Sequence, residues 1–413
     1  MNESSRRVVI TGVGAVTPLG HNVADTWDAI LAGKSGFTNE SEQVDITDMP
    51  IGGVCEVKGW QPQDFIGRKE ARRMDRYQQF VIVAADEAMK QSGLQITDDN
   101  RHRIGVYLGT GVGGVQTLIG TEHDLQNLGH RRVSPFAITM IMPNGAAGMV
   151  AIQYGLNGPA MTTTTACAAG TDGVGNGYLA VKHGLVDAAI VGGSEAPVTR
   201  VTMASFAKAG ALSKRTEGTP SPFDKDRDGF VAAEGAGILV IETLESAQAR
   251  GANILAEIVG FGQTCDAFHI TAPQESGAGA TRAIRNAIEM AGKRPEDVDY
   301  MNAHGTGTRL NDSTETRAIK SALGEHAYNV AVSSTKSMTG HGMGATGAIE
   351  TVFCTLSLRD QIVPPTISMV EPDEDCDLDY VTEGARKMDL SLVTNHAFGF
   401  GGHNAVLALA KYQ

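Results

Sequence analysis

The chain has 413 residues, 42% of them hydrophobic, enough for a large buried core spread over two or three domains. Its net charge of −13 argues against general nucleic-acid binding and leaves room only for a local basic patch. Five cysteines without a CxxC pair, no apolar run of about 18 residues, and no apolar core near the start predict reduced thiols in a cytoplasmic protein.

In chain order, Val8-Val9-Ile10 predicts a buried strand closed by glycine turns. Residues 17–33 read as a turn and an amphipathic helix stopped at Gly33, and residues 37–65 as a polar surface excursion. Residues 72–93 carry apolar positions at helical spacing up to a stop at Gly93. A strand and glycine turn follow at 103–114, a polar helix at 121–132, and another helix within 134–155. Thr162–Thr165 favour extended backbone, and the small residues after them lead into a helix ending near Lys182. Cys167 thus falls where a strand turns into a helix, a place whose free N–H groups and dipole favour the thiolate. Residues 187–196 predict a further strand and turn.

After a helix at 242–251 the same alphabet restarts with a strand near 253–263 and a helix at 279–292. Segments 298–308, 331–358 and 392–410 each open as a strand running into a glycine-rich turn. The repeated order predicts an internal duplication, with halves 1–255 and 256–413 packed as one body. Alternating strands and helices predict an α/β fold whose chemistry gathers at the C-terminal ends of strands.

Several motifs carry candidate chemistry. GTGVGG (109–114) satisfies GxGxxG but is not followed by a second strand ending in an acid, so it reads as a tight turn. His304 in NAHGTGT and His341 in MTGHGMGATG stand in turns, where near-neutral imidazoles can donate to an oxyanion or activate a partner. The turn Phe398-Gly399-Phe400-Gly401-Gly402 brings backbone N–H groups close to a ligand, or else closes a hairpin over two core phenylalanines. Zinc held by Cys167, His304 and His341 is a rival reading, weakened because no pair has helical metal-site spacing. No GxSxG elbow supports a serine hydrolase.

TACAAG, NAHGTGT, SSTKSMTGH and NHAFGFGGHN, in this order and with PFDKDRDGFVAAEGAGILVIE between the first two, resemble the β-ketoacyl-acyl-carrier-protein synthases of fatty-acid synthesis. The resemblance covers nearly the whole chain and is greatest to the elongating bacterial type II branch. It implies an α/β, thiolase-like fold, duplicated in a five-layer αβαβα architecture and usually homodimeric. The implied partner is acyl carrier protein, acyl- or malonyl-loaded; no cofactor is implied, because the phosphopantetheine arm arrives on that partner. Cys167 matches the nucleophile, His304 and His341 the histidine pair, and Lys336 and Glu350 the residues that accompany them. Phe400 matches the gating aromatic whose N–H joins that of Cys167 as an oxyanion hole. Thr306 and Thr308 match contacts to the pantetheine arm, and Phe398 and Gly399 belong to the same substrate site. Met140 lies in SPFAITMIMPN, similar to the stretch that closes the acyl tunnel across a dimer. Arg68, Lys69, Arg72, Arg73, Arg131, Arg132 and Lys208 are candidates for the carrier-protein patch.

Three departures bear on what the resemblance implies. Gly307 and Arg309 are closer to the wording of polyketide synthases, which keeps a polyketide ketosynthase as an alternative. His396 stands where asparagine is usual near a monovalent-cation site, so neither that cation nor another metal is expected. GHGMGATG replaces a more usual leucine pair and reads as local packing. A thiolase needs a second active-site cysteine, for which Cys376 in its acidic loop is poorly suited. A chain-length-factor-like subunit lacks the cysteine that is present here.

Overall fold

The computed structural model describes residues 6–218 and 220–413; Met1–Ser5, at the head of the stretch read as lacking a secretory signal, lie outside the described residues. Apolar runs bounded by glycine turns form one long sheet. Its strands are β1 Val8–Val16, β2 Ile104–Gly109, β3 Ala160–Thr163, β4 Ala188–Glu195, β5 Gly235–Thr243, β6 Ala256–Cys265, β7 Tyr300–Asn302, β8 Ala331–Ser333, β9 Leu392–Gly399 and β10 His403–Ala410. They lie in the order β8-β7-β9-β10-β6-β1-β5-β4-β2-β3. Each set of five therefore repeats one arrangement, three parallel strands followed by two antiparallel ones. The two sets join at the centre, where Val8, Val9 and Ile10 face Ile258, Glu257 and Ala256.

The helices follow the same repeat. α1 (Val23–Leu31) ends at the predicted Gly33 turn, and α2 (Arg76–Ser92) is capped by Asp75 and stopped by Gly93. α2 covers β1 and β5 on one outer face. α3 (Val115–Leu128), with only Val115 buried, lies outside the sheet; α4 (Gly145–Tyr154) completes that side, while α5 (Ala169–Lys182) packs on the opposite face of β2 and β4. α6 (Arg200–Lys208) borders the site described below. In the second set α7 (Ala278–Met290) covers β6 and β10, with α8 (Arg309–Leu323) against it, and α9 (Thr346–Asp360) lies between the two half-sheets beside α5. The result is five layers. α9 is buried at every position from Thr346 to Leu358, its polar residues Glu350, Thr351 and Thr355 included.

The duplication is visible in how the outer helices seat. A Cβ on Gly12 or Gly14 would lie 2.1 Å from Ala88 O or 1.9 Å from Ala84 O of α2. A Cβ on Gly260 or Gly262 would lie 2.0 Å from Ala287 O or 1.9 Å from Ala283 O of α7. Both interfaces use alternate glycines under alanines four apart.

Two expectations change. Residues 37–65 are not merely a surface excursion: Ile46, Ile51 and Val54 are buried with Met203, Phe230 and Met343, against the half-buried Cys167. The helix expected within 134–155 is split at Met142-Pro143 into Ala137–Ile141 and α4. Among the described residues, no helix is long and apolar enough to cross a membrane.

Candidate active site

Cys167 sits in a single 3₁₀ turn, Ala166–Ala168, immediately before α5. Ala166 has φ 51°, a left-handed conformation that costs an L-residue about 1 kcal/mol or more. The turn is pressed against β9, where a Cβ on Gly399 would lie 3.0 Å from both Cys167 N and Thr165 O. Gly401 (φ 83°) and Gly402 (φ 76°) close the β9–β10 hairpin tightly enough for the Phe400 N–H to reach the Cys167 sulfur. The N–H groups of Phe400 and of Cys167 itself both favour the thiolate.

Burial pushes the thiol up to about 11, opposed by the Phe400 N–H and by the Lys336 charge. The resting group is a neutral thiol rather than the thiolate that the helix terminus alone predicts. Loss of water outweighs the dipole.

His341 lies just beyond the short helix Lys336–Thr339, and its N–H donates to Val231 O at 2.8 Å. Its ring stands edge-on to Phe230, and Nε2 is 3.1 Å from Cys167 Sγ. The His304 ring is perpendicular to it with centroids 5.3 Å apart. Burial, and then the Lys336 charge, push His341 down to about 3 and His304 well below its ordinary value. Both rings are neutral at pH 7 and offer N–H donors. Behind them, the fully buried Lys336 Nζ donates to Glu350 Oε1 at 2.7 Å and to Ala303 O at 3.4 Å. Burial raises Glu350 to about 7 against the pull of Lys336.

Three acids not read from the sequence hold the site's turns. Glu315 Oε1 and Oε2 accept from the His304 and Gly305 N–H groups at 2.8 and 2.7 Å. Asp312 accepts from the Thr306 and Gly307 N–H groups, both at 3.1 Å, and has the buried Arg227 guanidinium 3.6 Å away. Glu195, at the end of β4, accepts from the Gly111, Val112 and Gly344 N–H groups. The GTGVGG turn therefore spends its donors on a carboxylate of its own chain, not on a phosphate. Asp312 and Glu315 stand 8 and 11 residues after His304 at helical spacing, the only signal available for them.

His396, at 0% side-chain exposure, places Nδ1 3.2 Å from Glu315 Oε1 and Nε2 3.0 Å from Thr394 Oγ1. Both ring nitrogens are engaged. This donor set does not fit the monovalent cation implied for relatives with asparagine at this position.

A cavity of about 350 Å³ is lined by Cys167, His304, His341, Thr306, Thr308, Phe398, Gly399 and Phe400. Lys336 and Glu350 lie behind this lining. Met140 does not line the cavity; it lies in the exposed segment 134–144. Of the basic candidates, Lys208 precedes Ala209 and Gly210 at the cavity mouth. Arg68, Lys69, Arg72, Arg73, Arg131 and Arg132 lie away from it, with Arg73 stacked 4.6 Å over Phe136. Arg309, not among those candidates, lines the mouth.

A reactive cysteine and paired imidazoles at matching strand ends of a duplicated five-layer body define a thiolase-like acyltransferase. The chain belongs to the β-ketoacyl synthase family: residues 5–247 match the family's N-terminal domain and residues 255–370 its C-terminal domain. It is 49% identical to the 3-oxoacyl-[acyl-carrier-protein] synthase 2 of Staphylococcus aureus over 99% of both chains. It is 48% identical to the Synechocystis sp. protein of the same name over 100% of both. A type II polyketide ketosynthase, solved with its acyl-carrier protein and bound to the hexaketide, superposes with a TM-score of 0.90 at 33% identity, covering 99% of this chain and 100% of that one.

Proposed function

We propose that this chain is an elongating condensing enzyme of type II fatty-acid synthesis, joining a Cys167-bound acyl group to malonyl units on acyl carrier protein. The observation that carries the reading is the approach of His341 Nε2 to 3.1 Å from Cys167 Sγ, with the His304 ring beside them. Sγ attacks the acyl thioester, its proton leaves toward His341 and then to the departing carrier thiolate, and the two backbone N–H groups hold the oxyanion. Malonyl-carrier protein then loses CO₂, and the neutral His304 and His341 donate to the enolate oxygen. The enolate carbon attacks the acyl-cysteine, the 3-oxoacyl product leaves on its carrier, and a solvent proton restores the thiol. The Lys336 charge, held in place by Glu350, helps keep the two imidazoles neutral, and Thr306 and Thr308 meet the pantetheine arm. No metal or bound cofactor takes part in these steps.

Lys208, with Arg309, is the basic group best placed at the cavity mouth to meet an acidic carrier protein; Arg68, Lys69, Arg72, Arg73, Arg131 and Arg132 form a second patch. The protein works as a cytoplasmic homodimer, with Met140 supplied to the acyl tunnel of the partner and the two halves meeting near residue 255. A polyketide ketosynthase remains the second reading, favoured by Gly307 and Arg309 and by the polyketide relative.

The test is condensation with malonyl- and acyl-carrier proteins of graded chain length. 3-Oxoacyl products extended beyond one acetyl unit are expected, and Cys167→Ala abolishes them. Cys167→Gln keeps CO₂ release while losing condensation. Products stopping at one acetyl unit, or extended without intervening reduction, count against the elongating reading.

A further inference from the structure

Glu315 is a fully buried carboxylate whose three donors are the His304 N–H, the Gly305 N–H and the ring of His396. Among the described residues, His396 is the only basic side chain paired with it. A carboxylate accepts and does not donate, so His396 Nδ1 carries the proton that it shares with Glu315 Oε1. A buried carboxylate is strongly disfavoured without such partners, and removing one leaves the others to shift. What would shift is the turn that carries His304. A second route leads to the same place: His396 lies 5.8 Å from the Phe398 ring, and Phe398 lies 5.9 Å edge-on to His304. The first route, through Glu315, touches neither Cys167 nor the Phe400 N–H.

We propose that His396 is a positioning residue for the decarboxylating half-reaction. It holds Glu315, and through it the His304 turn, from within the chain, at a place that needs no added monovalent cation. The inference rests on the condensing reading and assigns to it a residue that touches neither substrate nor nucleophile. It separates two steps that share one cavity. Acyl transfer uses Cys167 and the backbone oxyanion hole, whereas CO₂ release uses His304.

Both half-reactions are measured on the intact protein, as acyl-Cys167 formation from acyl-carrier protein and as CO₂ release from malonyl-carrier protein. His396→Leu is expected to slow CO₂ release on the order of 10²-fold, the scale of an ångström-sized misplacement, while acylation changes less than about threefold. His396→Asn, whose amide N–H stands in for Nδ1–H, is expected to recover most of the loss. Glu315→Gln keeps the volume and should show the same split, which carries the test if His396→Leu fails to fold. Replacing KCl by tetramethylammonium chloride at constant ionic strength should leave wild-type CO₂ release unchanged. Equal losses in both half-reactions, no loss in either, no rescue by asparagine, or a wild type that needs K⁺ or Na⁺ overturns the role of His396 alone. A wild type that neither acylates nor releases CO₂ overturns the condensing reading and His396 with it.

Discussion

At the scale of single residues the Cys167 thiol and the imidazoles of His304 and His341 are kept neutral chiefly by burial. The Cys167 thiol, raised to about 11, gains thiolate about tenfold per pH unit below that value. Its alkylation by iodoacetamide is therefore expected to keep accelerating from pH 7 to 10, followed as loss of activity; a plateau below pH 9 contradicts this. The histidines give the opposite pH signature, in stability. Their unfolded imidazoles take protons below about 6.5, but folded His341 refuses one until about 3. The unfolded state binds more protons between those values, so the stabilising contribution is present above pH 6.5 and is lost as pH falls toward 3. The thermal midpoint should drop between pH 7 and 5, and His341→Gln should flatten that drop. Cys167, His304 and His341 are legible in the sequence because each stands in a turn rich in glycine or alanine after a predicted strand. Glu315, Asp312 and Glu195 are not, since an acid on a helix or at a strand end reads as a solvated charge until the fold buries it against backbone N–H groups.

At the scale of elements, close backbone contact dominates. Gly14 and Gly262 let carbonyls of α2 and α7 approach to within 2 Å of where a Cβ would stand, and backbone atoms cannot rotate away. Gly14→Ala and Gly262→Ala are each expected to cost about 3 kcal/mol or more, read as a shift in urea midpoint. Similar costs at both sites would express the repeat energetically; a loss below about 1 kcal/mol at either would mean that its helix seats less rigidly. The strands and their terminal turns are readable because β-branched runs stop at glycines. Segment 37–65 is not, because Ile46, Ile51 and Val54 stand among polar residues with neither strand nor helix period. Its burial depends on Met203, Phe230 and Met343, far away in the chain.

At the scale of the molecule the two edges of the long sheet differ. β8 is covered, for Val332 N–H donates to Asp379 O and the 379–381 segment lies along it. β3 pairs only with β2, and Ala160 and Met161 on it are exposed. Flanking segments add Leu118, Leu125, Leu128, Ile138 and Ile152, all exposed at 43% or more. An uncovered strand edge and exposed apolar side chains are the features on which the proposed homodimer would pair. Charges placed there should prevent pairing without disturbing the buried site. On the proposed homodimer, the wild type is expected to sediment as a dimer and the double variant Met161→Asp/Ile138→Asp as a monomer. Its Cys167 should still react with iodoacetamide, because the sulfur, its donors and both imidazoles come from one chain. Under the proposed dimer, in which Met140 closes the partner's acyl tunnel, elongation of long acyl chains should nevertheless fall at least about tenfold. A monomeric variant with undiminished long-chain elongation would show that each chain builds its acyl site alone.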